Sequence, residues 1–145
     1  MEDKSEQILE FLKKNSKLSS RELSRKTKIP LTTVHNRIKK MKEQGIIKKY
    51  SIEVDYNKLG LNLCAYIMAS VNYDSKHKTS QQEIAKKLLK FHFVESVDII
   101  TGDKDLLIKV RTKNIQQLNK LITKDLRNTE GIDKTVSMIV LEEIN

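Results

Sequence analysis

At 145 residues the chain suits one ordinary domain or two small ones, and with 38% hydrophobic and 32% charged residues it is expected to fold as a soluble globular protein. No apolar run approaches the ~20 residues of a membrane span, and Met1-Glu2-Asp3-Lys4-Ser5-Glu6 has neither the basic start nor the apolar core of a signal peptide, so a cytoplasmic location is expected. One cysteine, Cys64, excludes an internal disulfide, and three histidines without Cys-x-x-Cys or His-x-x-x-His spacing offer no metal cage; no cofactor is expected.

The net charge of +9 is unevenly placed. Residues 1–60 hold 15 Lys+Arg against 8 Asp+Glu, and residues 61–145 hold 13 against 11. Lys13 to Lys49 alone carries 13 bases and two acids, Glu22 and Glu43. Such a field attracts polyanions, yet lysine-rich helices are more often plainly solvated, so the decision falls to patterning.

A first helix is expected over about Glu6 to Lys14, with Ile8, Leu9, Phe11 and Leu12 as its apolar stripe and Asp3 or Ser5 as cap. Asn15 to Leu18 reads as a turn. The run Ser19-Ser20-Arg21-Glu22 is a capping box opening a second helix anchored by Leu23 and Ile29, in which the small Ser24 permits a close helix crossing. Pro30 suits the start of a third helix, about Leu31 to Gln44, because its φ is already helical.

In projection the third helix buries Val34, Ile38 and Met41, with Leu31 nearby, and turns Thr32, Asn36, Lys39 and Lys40 outward, flanked by Thr33 and His35. Two short helices joined by Thr27-Lys28-Ile29-Pro30, the second polar and basic outside, make the helix-turn-helix pattern. The groove-facing set is therefore Thr32, Thr33, His35, Asn36, Arg37, Lys39 and Lys40. Asn36 can pair with an adenine edge, the threonines can reach phosphates or a thymine methyl, and the lysines neutralise phosphate. Arg37 lies nearer the buried edge, beside Met41, which favours an ion pair or phosphate contact over base reading. Lys13, Lys14, Lys17, Arg21, Arg25, Lys26, Lys48 and Lys49 fit nonspecific backbone contacts or plain solvation.

After Gly45, Ile46 to Asp55 has the β-branched and aromatic content of an extended strand, and Asp55-Tyr56-Asn57-Lys58-Leu59-Gly60 reads as a connection, placing a boundary between domains 1–60 and 61–145. From Leu61 to Tyr73 alternation is complete, so a long strand buries Leu61, Leu63, Ala65, Ile67, Ala69, Val71 and Tyr73. A helix follows over about Thr79 to Phe91, with Ser80 and Glu83 as a capping box and Ile84, Leu88 and Leu89 inside. Val94 to Thr101 and Leu106 to Arg111 form a hairpin across Gly102-Asp103-Lys104-Asp105. A helix over about Ile115 to Arg127, with Ile115, Leu118, Leu121, Ile122 and Leu126 at helical spacing, leads through Gly131 to a strand from Ile132 to Ile144.

The fold class is thus α+β: an N-terminal helix-turn-helix domain joined by a short strand or linker to a C-terminal ferredoxin-like βαββαβ domain with both helices on one sheet face. The other face, with Val136, Met138 and Val140 beside Tyr66 and Met68, needs a partner, and a homodimer is the economical one.

Thr33-Val34-His35-Asn36-Arg37-Ile38-Lys39-Lys40-Met41 followed by Gly45-Ile46-Ile47, then Thr101-Gly102-Asp103-Lys104-Asp105, then Val140-Leu141-Glu142-Glu143, in this order over essentially the whole chain, resembles the Lrp/AsnC family of transcriptional regulators. The resemblance implies a dimer, often assembled into larger rings, that binds double-stranded promoter DNA through the third helix and senses a small molecule, commonly an amino acid. It implies an effector site at Thr101, Gly102, Asp103 and Asp105, where backbone amides receive a carboxylate and an Asp receives an ammonium group. On local chemistry alone the same turn is a β-turn whose acids cap their own backbone amides. The resemblance also points to Thr135–Val140 as pocket or coupling residues, although their apolar alternation is explained by core packing.

Two positions depart from the family pattern. Lys28 stands where such turns carry glycine, and a left-handed lysine costs about 1–2 kcal/mol, so a slightly different turn is expected. Pro30 replaces a side-chain cap, with loss of one phosphate contact. Two alternatives stand beside the regulator: an enzyme of the haem-pathway siroheme decarboxylase type, for which His77 and His92 are the only histidines of the C-terminal part, and an architectural DNA-binding protein without ligand control.

Overall fold

The computed structural model describes residues 3–72 and 79–144; Tyr73, expected to end the long strand, and His77 lie outside the described residues. The chain divides into two compact units, Met1–Val54 and Asp55–Asn145.

The first unit holds α1 (Asp3–Lys14), α2 (Ser20–Thr27) and α3 (Leu31–Glu43). Ile8, Leu12, Leu23, Ile29, Val34 and Met41 form its buried centre, with Leu9, Phe11, Leu18, Ile38 and Ile47 packed against them. α1 begins earlier than expected, so Ser5 sits inside the helix instead of capping it; its hydroxyl is buried and accepts a hydrogen bond from Arg37 Nη1 at 3.4 Å. The capping box of α2 forms in both directions. Ser19 Oγ accepts from the Glu22 amide at 3.1 Å, and the Glu22 carboxylate accepts from the Ser19 amide at 2.7 Å, which holds that carboxyl below its usual range.

The turn between α2 and α3 is closed by hydroxyl groups. Thr27 Oγ1 donates to Leu23 O at 2.6 Å and Ser24 Oγ donates to Ile29 O at 2.6 Å, so Ser24 does more than save space. Lys28 takes φ 59° and ψ 21°, the left-handed conformation that glycine adopts without steric cost. Pro30 has ψ 140°, which places it just before the helix as its cap residue; its carbonyl accepts from the Val34 amide, and no side chain caps α3. After Gly45 (φ 72°) the amides of Ile46 and Ile47 both return to Met41 O. Ile46 to Asp55 forms no strand, contrary to expectation, and Ile46, Tyr50 and Ile52 are exposed. β-branched residues favour extended backbone, but a ladder needs a second edge, and the described residues of this unit contain none.

The second unit opens on a 3₁₀ turn (Asn57–Leu59) and continues through β1 (Leu63–Val71), α4 (Gln81–Leu88), β2 (Val94–Ile99), β3 (Leu106–Thr112), α5 (Ile115–Lys120) and β4 (Ile132–Ile139). The sheet order is β2-β3-β1-β4 with every neighbour antiparallel, as the ferredoxin-like reading requires. Ala65, Ile67, Ala69 and Val71 of β1 join Leu106, Ile108 and Val110 of β3 in one core with Ile84 and Leu88 of α4 and Leu118, Leu121 and Leu126. Each of the Val, Leu and Ile side chains among them contributes about 1.5–3 kcal/mol by leaving water.

Several expected details differ: β1 begins at Leu63 instead of Leu61, and of the expected Ser80–Glu83 capping box only one arm forms, Ser80 Oγ accepting from the Glu83 amide at 3.2 Å. Leu89 and Ile115 are exposed instead of facing the core, since α4 ends at Leu88 and Ile115 is the first residue of α5. Beyond Lys120 the helix widens into a π turn, Leu121–Leu126. In an α-helix, residues five apart stand more than a third of a turn out of phase, whereas i→i+5 bonding brings Leu121 and Leu126 both into the core. β4 stops at Ile139 instead of Ile144, because its ladder runs out near the start of β1, with Val140 N–H donating to Cys64 O as the last bond.

The sheet face away from the helices is uncovered. Tyr66 stands opposite Met138 and Met68 opposite Val136, while Met68 also pairs with Leu107. Val136 and Met138 on this face are exposed, and so is Ile139 on the helix side opposite Ala65, so Thr135–Val140 is not explained by core packing. Beyond β4 the tail is tied to β3: Arg111 clamps Glu143 with bonds of 2.7 and 2.9 Å, reaches Glu95 at 2.7 Å, and stacks its guanidinium 4.2 Å from the Tyr56 ring centroid. The Arg111 clamp holds the Glu143 carboxyl below its usual range. A depressed carboxyl contributes stability above its ordinary value of 4.5 and loses it as pH falls through the depressed one. Urea midpoints of the wild type and Glu143→Gln should therefore differ at pH 7 and converge toward pH 3; a difference that ignores pH would refute this role.

Candidate nucleic-acid interface and effector turn

α3 exposes one face because it must bury the other. Val34 and Met41 are 0% and 3% exposed, and Ile38 packs half-buried against the same cluster. With that phase set, Thr32, His35, Asn36, Lys39 and Lys40 all project into solvent, and Thr33 is half-buried beside them. Five of the seven expected groove-facing side chains are therefore displayed together. Arg37 is half-buried and turns back toward α1, where it meets Ser5 at 3.4 Å. That contact across 32 residues makes Arg37 a brace for α3, in keeping with its position at the buried edge.

Leu31 departs from expectation. It is 41% exposed and lines a cleft of about 460 Å³ with Ser19, Ser20 and Arg21 at the start of α2 and Thr32, His35 and Asn36 on α3. Arg21, Arg25, Lys26, Lys14, Lys17, Lys48 and Lys49 are exposed around the unit, a distribution suited to phosphates. Lys13 is instead paired with Glu10 at 2.9 Å. Lys42 lies 5.8 Å from the Tyr50 ring centroid, a contact with no signal in the sequence because it bridges helix and irregular segment.

The turn between β2 and β3 separates its acids into two environments. Gly102 has φ 116° with open space where a Cβ would stand, and Thr101, Gly102 and Asp103 are exposed. Asp105 is half-buried: its Oδ2 accepts from the Val71 amide at 2.8 Å and its Oδ1 accepts from Gln81 Nε2 at 3.1 Å. Its own amide donates to Ala69 O and its carbonyl accepts from the Ile100 amide. Asp105 thus joins the turn to the end of β1 and the start of α4, while Asp103 keeps its carboxylate in solvent. Gln81 and the Val71 amide were not recognisable from sequence, since they lie 24 and 34 residues away from Asp105. His92, raised for the enzyme alternative, is exposed and packs against Phe93 with centroids 4.0 Å apart.

Comparison with known proteins places these two features in one family. Residues 1–48 match a winged helix-turn-helix DNA-binding family model, and residues 65–145 match the Lrp/AsnC ligand binding domain. An uncharacterized HTH-type transcriptional regulator of Pyrococcus furiosus is 39% identical over 132 residues, covering 91% of this chain and 87% of its own length. LrpC of B. subtilis is 28% identical with a TM-score of 0.86, over 100% of this chain and 97% of that one. A transcriptional regulator of Neisseria meningitidis, solved as its L-Met complex, has the same fold with a TM-score of 0.90 at 24% identity, over 100% and 92% of the two chains. The relatives are named as regulators, and the haem-pathway enzyme alternative gives way to a transcriptional regulator with DNA-binding and ligand-binding parts. The protein belongs to the Lrp/AsnC family of transcriptional regulators.

Proposed function

We propose that the protein is a sequence-specific, homo-oligomeric regulator, cytoplasmic and DNA-associated, whose binding to double-stranded DNA is modulated by an amino acid. Residues 1–60 carry the DNA-binding part with its connecting segment, and residues 61–145 the effector-binding and dimerisation part. The observation that carries the reading is the exposed face of α3, where Thr32, His35, Asn36, Lys39 and Lys40 stand free of the core within a segment of net charge +11. Asn36 is assigned to an adenine edge, Lys39 and Lys40 to phosphates, and Thr32, Thr33 and His35 to the groove walls; Arg37 holds the helix in place.

The dimer uses the uncovered sheet face, whose exposed Val136 and Met138 stand opposite Met68 and Tyr66. The effector turn divides its labour: Asp103 presents a solvent-facing carboxylate to an ammonium group, the amides near Gly102 receive a carboxylate, and Asp105 sets the shape of the turn through Val71 and Gln81. An amino acid carries both charges. L-methionine, the ligand of the Neisseria meningitidis protein that shares this fold, is the first compound to test.

Genomic DNA-fragment selection with the purified protein, with and without a mixture of the twenty amino acids, tests the whole reading. A phased, pseudo-palindromic site with half-sites ~34–36 Å apart is expected, moved by the mixture. A site that ignores the mixture would leave the architectural alternative, and a footprint without dyad symmetry would overturn the dimeric regulator.

At that site Asn36→Ala should relax base preference, while Lys39→Ala should weaken all sequences alike and reduce the salt slope by about one. Equal behaviour of the two variants would contradict their assigned roles. Met138→Glu should turn a dimer into a folded monomer by light scattering; an unchanged mass would move the interface elsewhere. Asp103→Asn should abolish the ligand response with stability unchanged, whereas Asp105→Ala should cost about 1–3 kcal/mol by stranding the Val71 amide; the reverse pattern in urea unfolding would exchange their roles.

A further inference from the structure

Leu31 is an aliphatic side chain displayed where the surrounding chemistry is polar. Its sequence phase places it with Val34, Ile38 and Met41, yet it is 41% exposed and takes no part in the buried cluster of the first unit. It occupies the first position of α3, one turn ahead of His35, and shares its cleft with Arg21, Thr32 and Asn36. The first turn of the second helix in a helix-turn-helix is the part that meets base edges. In the major groove the one apolar feature of a base edge is the C5 methyl of thymine.

We propose that Leu31 is a specificity-determining residue that reads a thymine methyl in each half-site, a role that rests on the DNA-binding function proposed above. The cleft fits this use. Arg21, exposed on the α2 side, holds the adjoining phosphate, which brings the groove edge against the start of α3. Asn36 reads the neighbouring base by hydrogen bonds while Leu31 supplies an apolar contact larger than the methyl of Thr32 in the same cleft offers. The exposure of Leu31 in the free protein is then the surface that DNA covers.

The test uses the full chain and the site obtained by selection, with each thymine replaced by deoxyuridine in turn, symmetrically in both half-sites, so that only the methyl is lost. The wild type is expected to lose about fourfold per methyl, or about 15-fold per symmetric pair, at one thymine position. Leu31→Ala should bind the thymine and uracil duplexes at that position equally, as weakly as the wild type binds uracil, and Leu31→Met should keep the discrimination. The unfolding midpoint of Leu31→Ala should match the wild type. Leu31→Ala retaining the full thymine preference, or a wild type indifferent to every methyl, would overturn the assignment, as would equal weakening on both duplexes with a lowered midpoint. Failure of the selection to return any site would show, before any variant is made, that the underlying DNA function had failed.

Discussion

Burial of Val34 and Met41 against Ile8, Leu12, Leu23 and Ile29 sets the rotation of α3, and that rotation determines which side chains the helix displays outward. A helix of 13 residues with a single apolar stripe has one low-energy phase. At about 1.5–3 kcal/mol for each buried aliphatic side chain, turning the stripe outward would cost more than any set of surface contacts returns. Thr32, Asn36, Lys39 and Lys40 are thereby displayed by the phase of the helix, without a side-chain hydrogen bond or ion pair among the described residues. Arg37 adds a polar brace at the edge of the stripe, and the Ser24 and Thr27 hydroxyls close the turn that aims the helix.

The second unit depends on an analogous constraint with a period of two. Ala65, Ile67, Ala69 and Val71 commit one sheet face to the helices, and their neighbours Tyr66 and Met68 are left on the other face with Val136 and Met138. Two polar devices then position what the sheet does not. Asp105 draws the β2–β3 turn onto the end of β1 and the first residue of α4. Arg111 gathers Tyr56, Glu95 and Glu143, which are distant in sequence, at the β3 end of the same open face. Both use charge-assisted bonds; those of Asp105 lie in half-buried surroundings, where such bonds are stronger than at an open surface, while Arg111 reaches carboxylates that are exposed.

Local signals carried far into the structure. The Ser19–Glu22 capping box forms in both directions, Ser80 caps α4 without the reciprocal Glu83 bond, and the alternation of β1 matches burial over Ala65–Val71, while Leu63 is only half-buried and Cys64 is buried on the other face. Ile46–Asp55 has strand composition without a strand, because composition states a preference and the ladder partner that would realise it is absent from the described unit. Leu31 and Leu89 were misplaced for a related reason. Periodicity assigns a residue to a face, but at a helix end the face is bounded by neighbouring elements that the local window does not contain.

The sequence by itself determined the element order, the helix-turn-helix, the ferredoxin-like alternation and the basic first third, since all follow from patterns repeated every two or 3.6 residues and from charge that is read directly. The tertiary structure alone decided that Asp105 is bonded to Val71 and Gln81 while Asp103 faces water, that Arg37 turns back to Ser5, that Leu121–Leu126 widens into a π turn, and that Leu31 lies open beside the polar face of α3. The physical reason is range. Hydrophobic phase is local and repeats, so it is written many times along the chain, whereas a hydrogen bond or an exposed edge depends on two segments meeting once, at a distance no periodicity encodes.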